Sequence, residues 1–263
     1  MDRLKDKVAI VTGAADGIGL AISRAFSSEG ATVVMCDING DKCDEEARKL
    51  SINDAVIRSH LCDVGVTEDV QTVVQKTIAE FERIDILVNN AAVAISGDIR
   101  EMPESDWDKV MNINLKSVFR GIKAVLPHML QQRSGSVITL SSAQAFRSWD
   151  DWTAYAAAKG AILSMSNQLA GQFGHENVRF NTISPGAILT PLNEKRIAQE
   201  GQGFLEGSIG QAAMLRMGEA DEVAMTAVFL ASDEAKFITG EDIKVDGGLT
   251  SLPRYIDKTK NKK

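Results

Sequence analysis

Short, nearly unbroken apolar runs alternate along the chain with longer segments whose apolar positions recur every three or four residues. KVAIVTG (7–13), ATVVMCD (31–37), AVIRSHLCDV (55–64), IDILVNN (84–90), GSVITLSS (135–142), VRFNTISPG (178–186) and EDIKVDGG (241–248) predict seven strands. Continuous Val, Ile and Leu, rather than strict alternation with polar residues, suits parallel strands covered on both faces. Between them the periodicity predicts helices over 18–30, 41–50, 67–81 and 104–132, and from the Tyr155 segment to about Phe173. Gly30 is placed to stop the first helix, and Thr67 to cap the third. This order predicts an α/β fold with a doubly wound, mainly parallel sheet of seven strands and helices on both faces. Neither a linker nor a repeat interrupts it, so residues 1–263 are expected to form one domain. The segment 187–217 stands out, being longer than a usual connection between a strand and its neighbour.

Composition excludes several function classes. The net charge of −7 argues against a nucleic acid or other polyanion as partner. The sequence has no apolar run of the roughly 18 residues that a membrane helix needs. MDRLKDK, at the start, lacks the apolar stretch of a signal peptide, and a cytoplasmic location is expected. Cys36, Cys43 and Cys62 have no zinc-ligand spacing, and their odd number argues against a disulfide framework. His60, His128 and His175 are scattered, so neither a metal site nor a Ser–His–Asp triad is expected. The basic end DKTKNKK reads as a solvated tail over about 252–263.

Two local patterns carry chemistry. TGAADGIG sets Gly13, Gly17 and Gly19 between the first strand and the first helix. Glycines there let the backbone approach a ligand closely, and the free N–H groups of the helix start favour an anion such as a phosphate. YAAAK sets Tyr155 one helical turn ahead of Lys159, with three alanines between. On a helix the two side chains share a face. An ammonium beside a phenol favours the phenolate, and a tyrosine tuned toward working pH can exchange protons with a substrate. Tyr–Lys pairs at this spacing are common on helix surfaces, so the pattern gains its meaning from the rest of the chain.

With Ser142, these motifs make the sequence resemble the short-chain dehydrogenases/reductases over essentially its whole length. The family's landmarks arrive in order: the GxxxGxG turn, Asp37, CDV with Asp63, NNAA at 89–92, NINL with Asn114, Ser142, YAAAK, SPG with Pro185 and Gly186, TPL with Thr190, and VDGG. The resemblance implies a Rossmann-type fold, a nicotinamide cofactor and a reaction at a secondary alcohol or ketone. Tyr155 would exchange the proton, and Ser142 would hydrogen-bond the same oxygen. Lys159 would lower the phenol pKa and hold the nicotinamide ribose. Asn114 would kink its helix and hold a water linking Lys159 to solvent. The cofactor would lie against Gly13, Asp16, Gly17, Ile18, Gly19, Asp37, Asp63, Val64, Asn90, Tyr155, Lys159, Pro185, Gly186, Ile188 and Thr190. A homotetramer, with the long helices and the C-terminal segment at its interfaces, is also implied.

Asp37 lies 18 residues beyond Gly19. A carboxylate at such a place accepts both adenosine ribose hydroxyls and repels a 2′-phosphate, which predicts NAD. Asp16 adds a second negative charge where NADP-binding members of the family often carry a basic residue. Ala92 and Ala145 replace glycines usual in the family, at positions expected near the substrate. The substrate wall is expected from Ser142, Gln144, Trp149, Trp152 and Tyr155 on one side. The other side is expected from a lid over 187–217 that brings Leu192, Asn193 and Phe204; for the tryptophans, packing within the loop or at an interface is the alternative. Such a wall suits a compact secondary alcohol carrying other oxygens, such as a sugar or cyclic polyol. A protein that only holds NAD as a sensor or scaffold is the alternative function. It would have no use for Ser142, Tyr155, Lys159 and Asn114 together.

Overall fold

A computed structural model of the chain describes residues 2–52 and 55–251. The tail expected at 252–263 lies outside the described residues, as does the side chain of Phe204. The first half reads β1 (Val8–Thr12), α1 (Gly17–Ser28), β2 (Thr32–Asp37), α2 (Gly40–Leu50), β3 (Ile57–Leu61), α3 (Thr67–Phe81) and β4 (Ile86–Asn89). It continues with α4 (Glu104–Met111), α5 (Ser117–Gln132), β5 (Gly135–Leu140), α6 (Thr153–Phe173) and β6 (Val178–Pro185). The last part holds β7 (Ile188–Leu189), α7 (Pro191–Glu200), α8 (Gln202–Gln211), β8 (Gly218–Glu219), α9 (Ala220–Ala231) and β9 (Asp242–Val245).

The main sheet has the order β3-β2-β1-β4-β5-β6-β9, and every pairing in it is parallel. The order reverses between β1 and β4. Helices diverge there, and a crevice opens at the carboxyl ends of the strands. Because side chains alternate along a strand, the sheet divides its apolar residues between two cores. Ala9, Val11, Val33, Met35, Ile86 and Val88 face α1, α2 and α9. Ile10, Val34, Cys36, Leu87 and Val137 face α3, α5 and α6.

Helix α3 has the predicted bounds, but Thr67 is not its cap. Val66 takes that position without a side-chain bond, and the Thr67 hydroxyl instead accepts from Arg120 Nε at 3.1 Å. The stretch 104–132 is not one helix: a π-helical turn at Asn112–Lys116 joins α4 to α5. Helix α9, passed over in the sequence pattern, packs along α1. The segment 187–217 is also structured. β7 pairs with β8, and α7 and α8 form a helical excursion between them. Of its four glycines, Gly203, Gly207 and Gly210 lie within α8, and only Gly201, at φ +76°, turns the chain between the two helices.

Phe26 is fully buried where α1 meets the sheet. Phe26→Ala should lower unfolding free energy by about 3–5 kcal/mol, as cavities left by buried aromatics do. Urea denaturation followed by far-UV circular dichroism would measure it.

Candidate active site

The carboxyl ends of β1, β2, β4, β5 and β6 bring the motif residues together. Beyond β1 the chain turns at Gly13 (φ +63°) and Gly17 (φ +51°) into α1. Packing, as well as backbone angle, demands glycine there. A methyl on Gly13 would lie 2.9 Å from the Ala91 Cα, and one on Gly19 only 2.0 Å from the Gly13 carbonyl oxygen. The turn is fixed to β4 by Asn90, whose Nδ2 donates to the carbonyls of Thr12 (2.9 Å) and Gly13 (3.0 Å). The Thr12 hydroxyl returns the link by accepting from Asn90 N at 3.0 Å. Thr190 closes over the same turn, its Cγ2 3.4 Å from where a methyl on Gly17 would sit. Ile18, in the first turn of α1, packs against the core on that side, as does buried Ile188. Backbone that approaches this closely, at the start of a helix, fits a nucleotide diphosphate.

Asp37 ends β2 and ties the glycine turn to the next loop. Its Oδ2 accepts from Ala15 N (3.0 Å) and its Oδ1 from Asn39 N (2.9 Å). A carboxylate offers about four acceptor positions, so capacity remains for ribose hydroxyls. Asp16 caps α1, its Oδ1 accepting from Gly17 N at 2.7 Å. Its charge is not uncompensated as the sequence suggested, because the Lys42 ammonium, brought by α2, pairs with Oδ2. Asp63 closes a turn after β3, with Oδ1 accepting from Gly65 N at 2.7 Å. Val64 beside it is buried, and its carbonyl accepts from Arg120 at 3.4 Å.

Asn114 sits in the π turn and is 1% exposed. Its side chain holds both backbone groups of Val93: Nδ2 donates to Val93 O and Oδ1 accepts from Val93 N, each at 2.8 Å. The expected kink is therefore a π turn that lets one amide clamp the loop after β4. π turns of this kind recur at functional sites.

Ser142 follows β5 in extended conformation and caps the short 3-10 turn Ala143–Ala145. Tyr155 and Lys159 stand one turn apart on α6. The Ser142 hydroxyl hydrogen-bonds the phenol, which lowers the Tyr155 pKa, but the larger effect is burial, and the net shift is upward. Lys159 does not lower that pKa as expected. Its ammonium lies 5.6 Å from the centroid of the Tyr155 ring and donates to the Leu140 carbonyl at 2.6 Å. It is 3% exposed, and burial brings its own pKa down to about 8.

A cleft of about 380 Å³ opens in front of Ser142 and Tyr155. Gln144, Trp149, Trp152, Leu192 and Asn193, all expected at the substrate wall, line it together with Gly186. The tryptophans therefore face the cleft. Trp152 meets Tyr155 edge to face at 5.5 Å, and Trp149 Nε1 donates to Gln211 Oε1 at 2.5 Å, joining the β5 loop to the end of α8. Ala92 and Ala145 are not in the cleft wall, so their added methyls do not narrow it. The wall includes Ala94, Arg196, Ser208 and Gln211, which the sequence left unmarked; the Arg196 guanidinium lies 5.4 Å over the Trp152 ring. The spacing of Arg196, Ser208 and Gln211 along α7 and α8 gives no motif, and only the return of the helices over the cleft reveals them. Among the described residues, no helix is long and apolar enough to cross a membrane.

Residues 13–250 match a family model described as enoyl-(acyl carrier protein) reductase. The chain is 36% identical over 247 residues to the 3-oxoacyl-acyl-carrier-protein reductase FabG of Thermotoga maritima, covering 94% of this chain and 99% of that one. It is 39% identical over 248 residues to a D-threitol dehydrogenase of Mycolicibacterium smegmatis, covering 94% of each. The crystal structure of a levodione reductase superposes with a TM-score of 0.92 at 30% identity, over 95% of this chain and 100% of that one.

The buried ammonium makes a testable demand on stability. The folded pKa of Lys159, about 8, lies below the ordinary 10.5. The protonated form therefore costs folding energy below pH 8, and that cost is released as pH climbs from 8 to 10.5. Lys159→Met should be more stable than the parent at pH 7, by on the order of 1–3 kcal/mol. The advantage should shrink between pH 8 and 10.5, read from urea melts at each pH.

Proposed function

Because the chain belongs to the short-chain dehydrogenase/reductase family, we propose that it transfers a hydride between NAD(H) and a secondary alcohol or ketone. The observation that carries this reading is the placement of Ser142 and Tyr155 on one cleft, hydrogen-bonded to each other, with the buried Lys159 ammonium 5.6 Å from the Tyr155 ring. When bound, the nicotinamide supplies the hydride acceptor or donor. The diphosphate is proposed to lie on the turn of Gly13, Gly17, Ile18 and Gly19. Asp37 takes the adenosine ribose, which favours NAD over NADP, and Asp63 and Val64 flank the adenine. Asn90, Pro185, Gly186, Ile188 and Thr190 frame the nicotinamide end.

The chain's own residues then handle the proton. Tyr155 gives its phenolic proton to the substrate oxygen in reduction and takes it back in oxidation. Ser142 donates to the same oxygen as charge develops there. Lys159 holds the nicotinamide ribose, and being charged only below about pH 8 it supplies most positive potential at neutral pH and below. Asn114, in the π turn that packs against α6, holds a water that links Lys159 to solvent. Residues 1–263 act as one catalytic domain, in the cytoplasm. In the proposed homotetramer, half-exposed Phe119 on α5 and Met225 on α9 suit interface positions. Gln144, Asn193, Ser208 and Gln211 favour a small substrate carrying oxygens besides the reacting one, such as a polyol or sugar. The names of the threitol dehydrogenase and levodione reductase relatives accord with that class.

The test is an absorbance screen at 340 nm over polyols, sugars, cyclic alcohols, hydroxy acids and ketones, with NAD(H) and NADP(H) in parallel. Turnover with some substrate is expected. Nucleotide binding without turnover across the panel would instead favour the sensor or scaffold. Tyr155→Phe should retain less than about a tenth of kcat, a barrier increase of at least ~1.4 kcal/mol, while still binding nucleotide. Because burial raises the phenol pKa, the base form is scarce at neutral pH. Alcohol oxidation, where chemistry limits, should therefore keep rising with pH to 10 and beyond.

Residues 187–217 are proposed to close over the bound substrate. Hydrogen exchange should slow in α7 and α8 when nucleotide and substrate are both present. Protection equal to that of β4 and β5 before any ligand is added would show a preformed pocket instead.

A further inference from the structure

We propose that Lys42, held by Asp16, sets how strictly this chain discriminates between adenosine nucleotides with and without a 2′-phosphate. The inference rests on the reading that an adenosine ribose sits against Asp37. A closed circuit of contacts surrounds that place. Ala15 N donates to Asp37 Oδ2 at 3.0 Å, and Asp37 Oδ1 accepts from Asn39 N at 2.9 Å. Asn39 Oδ1 accepts from Lys42 N at 3.2 Å, which starts α2. The Lys42 ammonium pairs with Asp16 Oδ2, and Asp16 Oδ1 accepts from Gly17 N at 2.7 Å. The glycine turn and the β2–α2 turn are thus joined through two carboxylates and one ammonium.

The charges at this mouth do not act alike. Asp16 stands at the start of α1, where its negative charge opposes a diphosphate unless it is neutralised. Lys42 neutralises it. The same pairing occupies the ammonium that would otherwise be offered to a 2′-phosphate, and leaves Asp37 as the net charge. Lys42 and Asp16 keep 39% and 45% of their side-chain surface exposed. A ligand phosphate can therefore reach the pair, and salt screens it. Asp16 thus excludes the 2′-phosphate chiefly by holding Lys42, beyond its own repulsion. Asparagine caps a helix as well as aspartate does, so Asp16→Asn releases the ammonium while sparing the helix start.

The test measures binding by calorimetry on the full chain, with 5′-AMP and adenosine 2′,5′-bisphosphate as probes. In Asp16→Asn, the bisphosphate should gain about tenfold in affinity, with 5′-AMP changing less than about threefold, and the gain should fade in 0.5 M salt. Lys42→Gln should weaken the bisphosphate by about tenfold relative to 5′-AMP. The double variant should return close to the parent ratio, because the pair is removed as a neutral unit. Asp37→Ala serves as the control for the underlying reading and should reduce the parent's preference for 5′-AMP. If neither probe binds, or Asp37→Ala leaves the ratio unchanged, the placement of the ribose fails and the proposal with it. If Asp37→Ala behaves as expected but Asp16→Asn shifts the two probes equally, Lys42 has only a structural role and the proposal is overturned.

Discussion

The contact between Gly19 and the Gly13 carbonyl sets the geometry on which the rest of the site depends. With room for no side chain between them, the start of α1 is drawn down onto the end of β1. Asn90 then fixes that turn to β4 by two bonds to its carbonyls. β1 and β4 are the neighbours at which the strand order reverses, so the clamp lies where the crevice opens. A shift of this turn would move the helix start, Asp37 through its bond to Ala15, and Thr190 through its contact above Gly17.

A second clamp shapes the other end of the site. The π turn at Asn112–Lys116 lets Asn114 reach the backbone of Val93 on both its donor and its acceptor side. An extra residue in a helical turn loses regular hydrogen bonding, and its persistence needs compensation from the surroundings. The paired bonds to Val93 supply that. The π turn packs against α6, the helix that carries the proposed proton-transfer pair, so the loop after β4 and that helix are positioned together.

Burial decides the electrostatics of that pair. The expectation from spacing alone was that Lys159 would lower the phenol pKa. The fold instead buries the ammonium at the carboxyl end of the interior strand β5, bonded to the Leu140 carbonyl, and lowers the lysine's own pKa. The phenol moves upward for the same reason, desolvation, with only the Ser142 bond opposing it. A site so arranged keeps the phenol protonated near neutrality. The end of α8 is tied to the loop after β5 by Trp149 and Gln211, so the proposed closure would tighten contacts already formed.

The sequence by itself determined the seven strands of the main sheet and the helical segments that become α1 to α6, in order, because strand and helix periods are local and each repeats within a few residues. It also marked the glycine turn, Asp37, Ser142, Tyr155 and Lys159, since those patterns bind chemistry to fixed spacings. Helix α9 escaped because it is apolar almost all round, with Val223, Ala224, Ala227, Val228 and Leu230 all buried, which leaves no clear face to read. Thr67 was misread as a cap because its competitor, Arg120, lies 53 residues away. Tertiary structure alone decided that Lys42 meets Asp16, that Val93 meets Asn114, and that Gln211 meets Trp149. Each joins residues from segments distant in the chain, and no period or motif records such a meeting. The pKa shifts belong to the same class, because desolvation depends on everything that packs around a group and not on its neighbours in sequence.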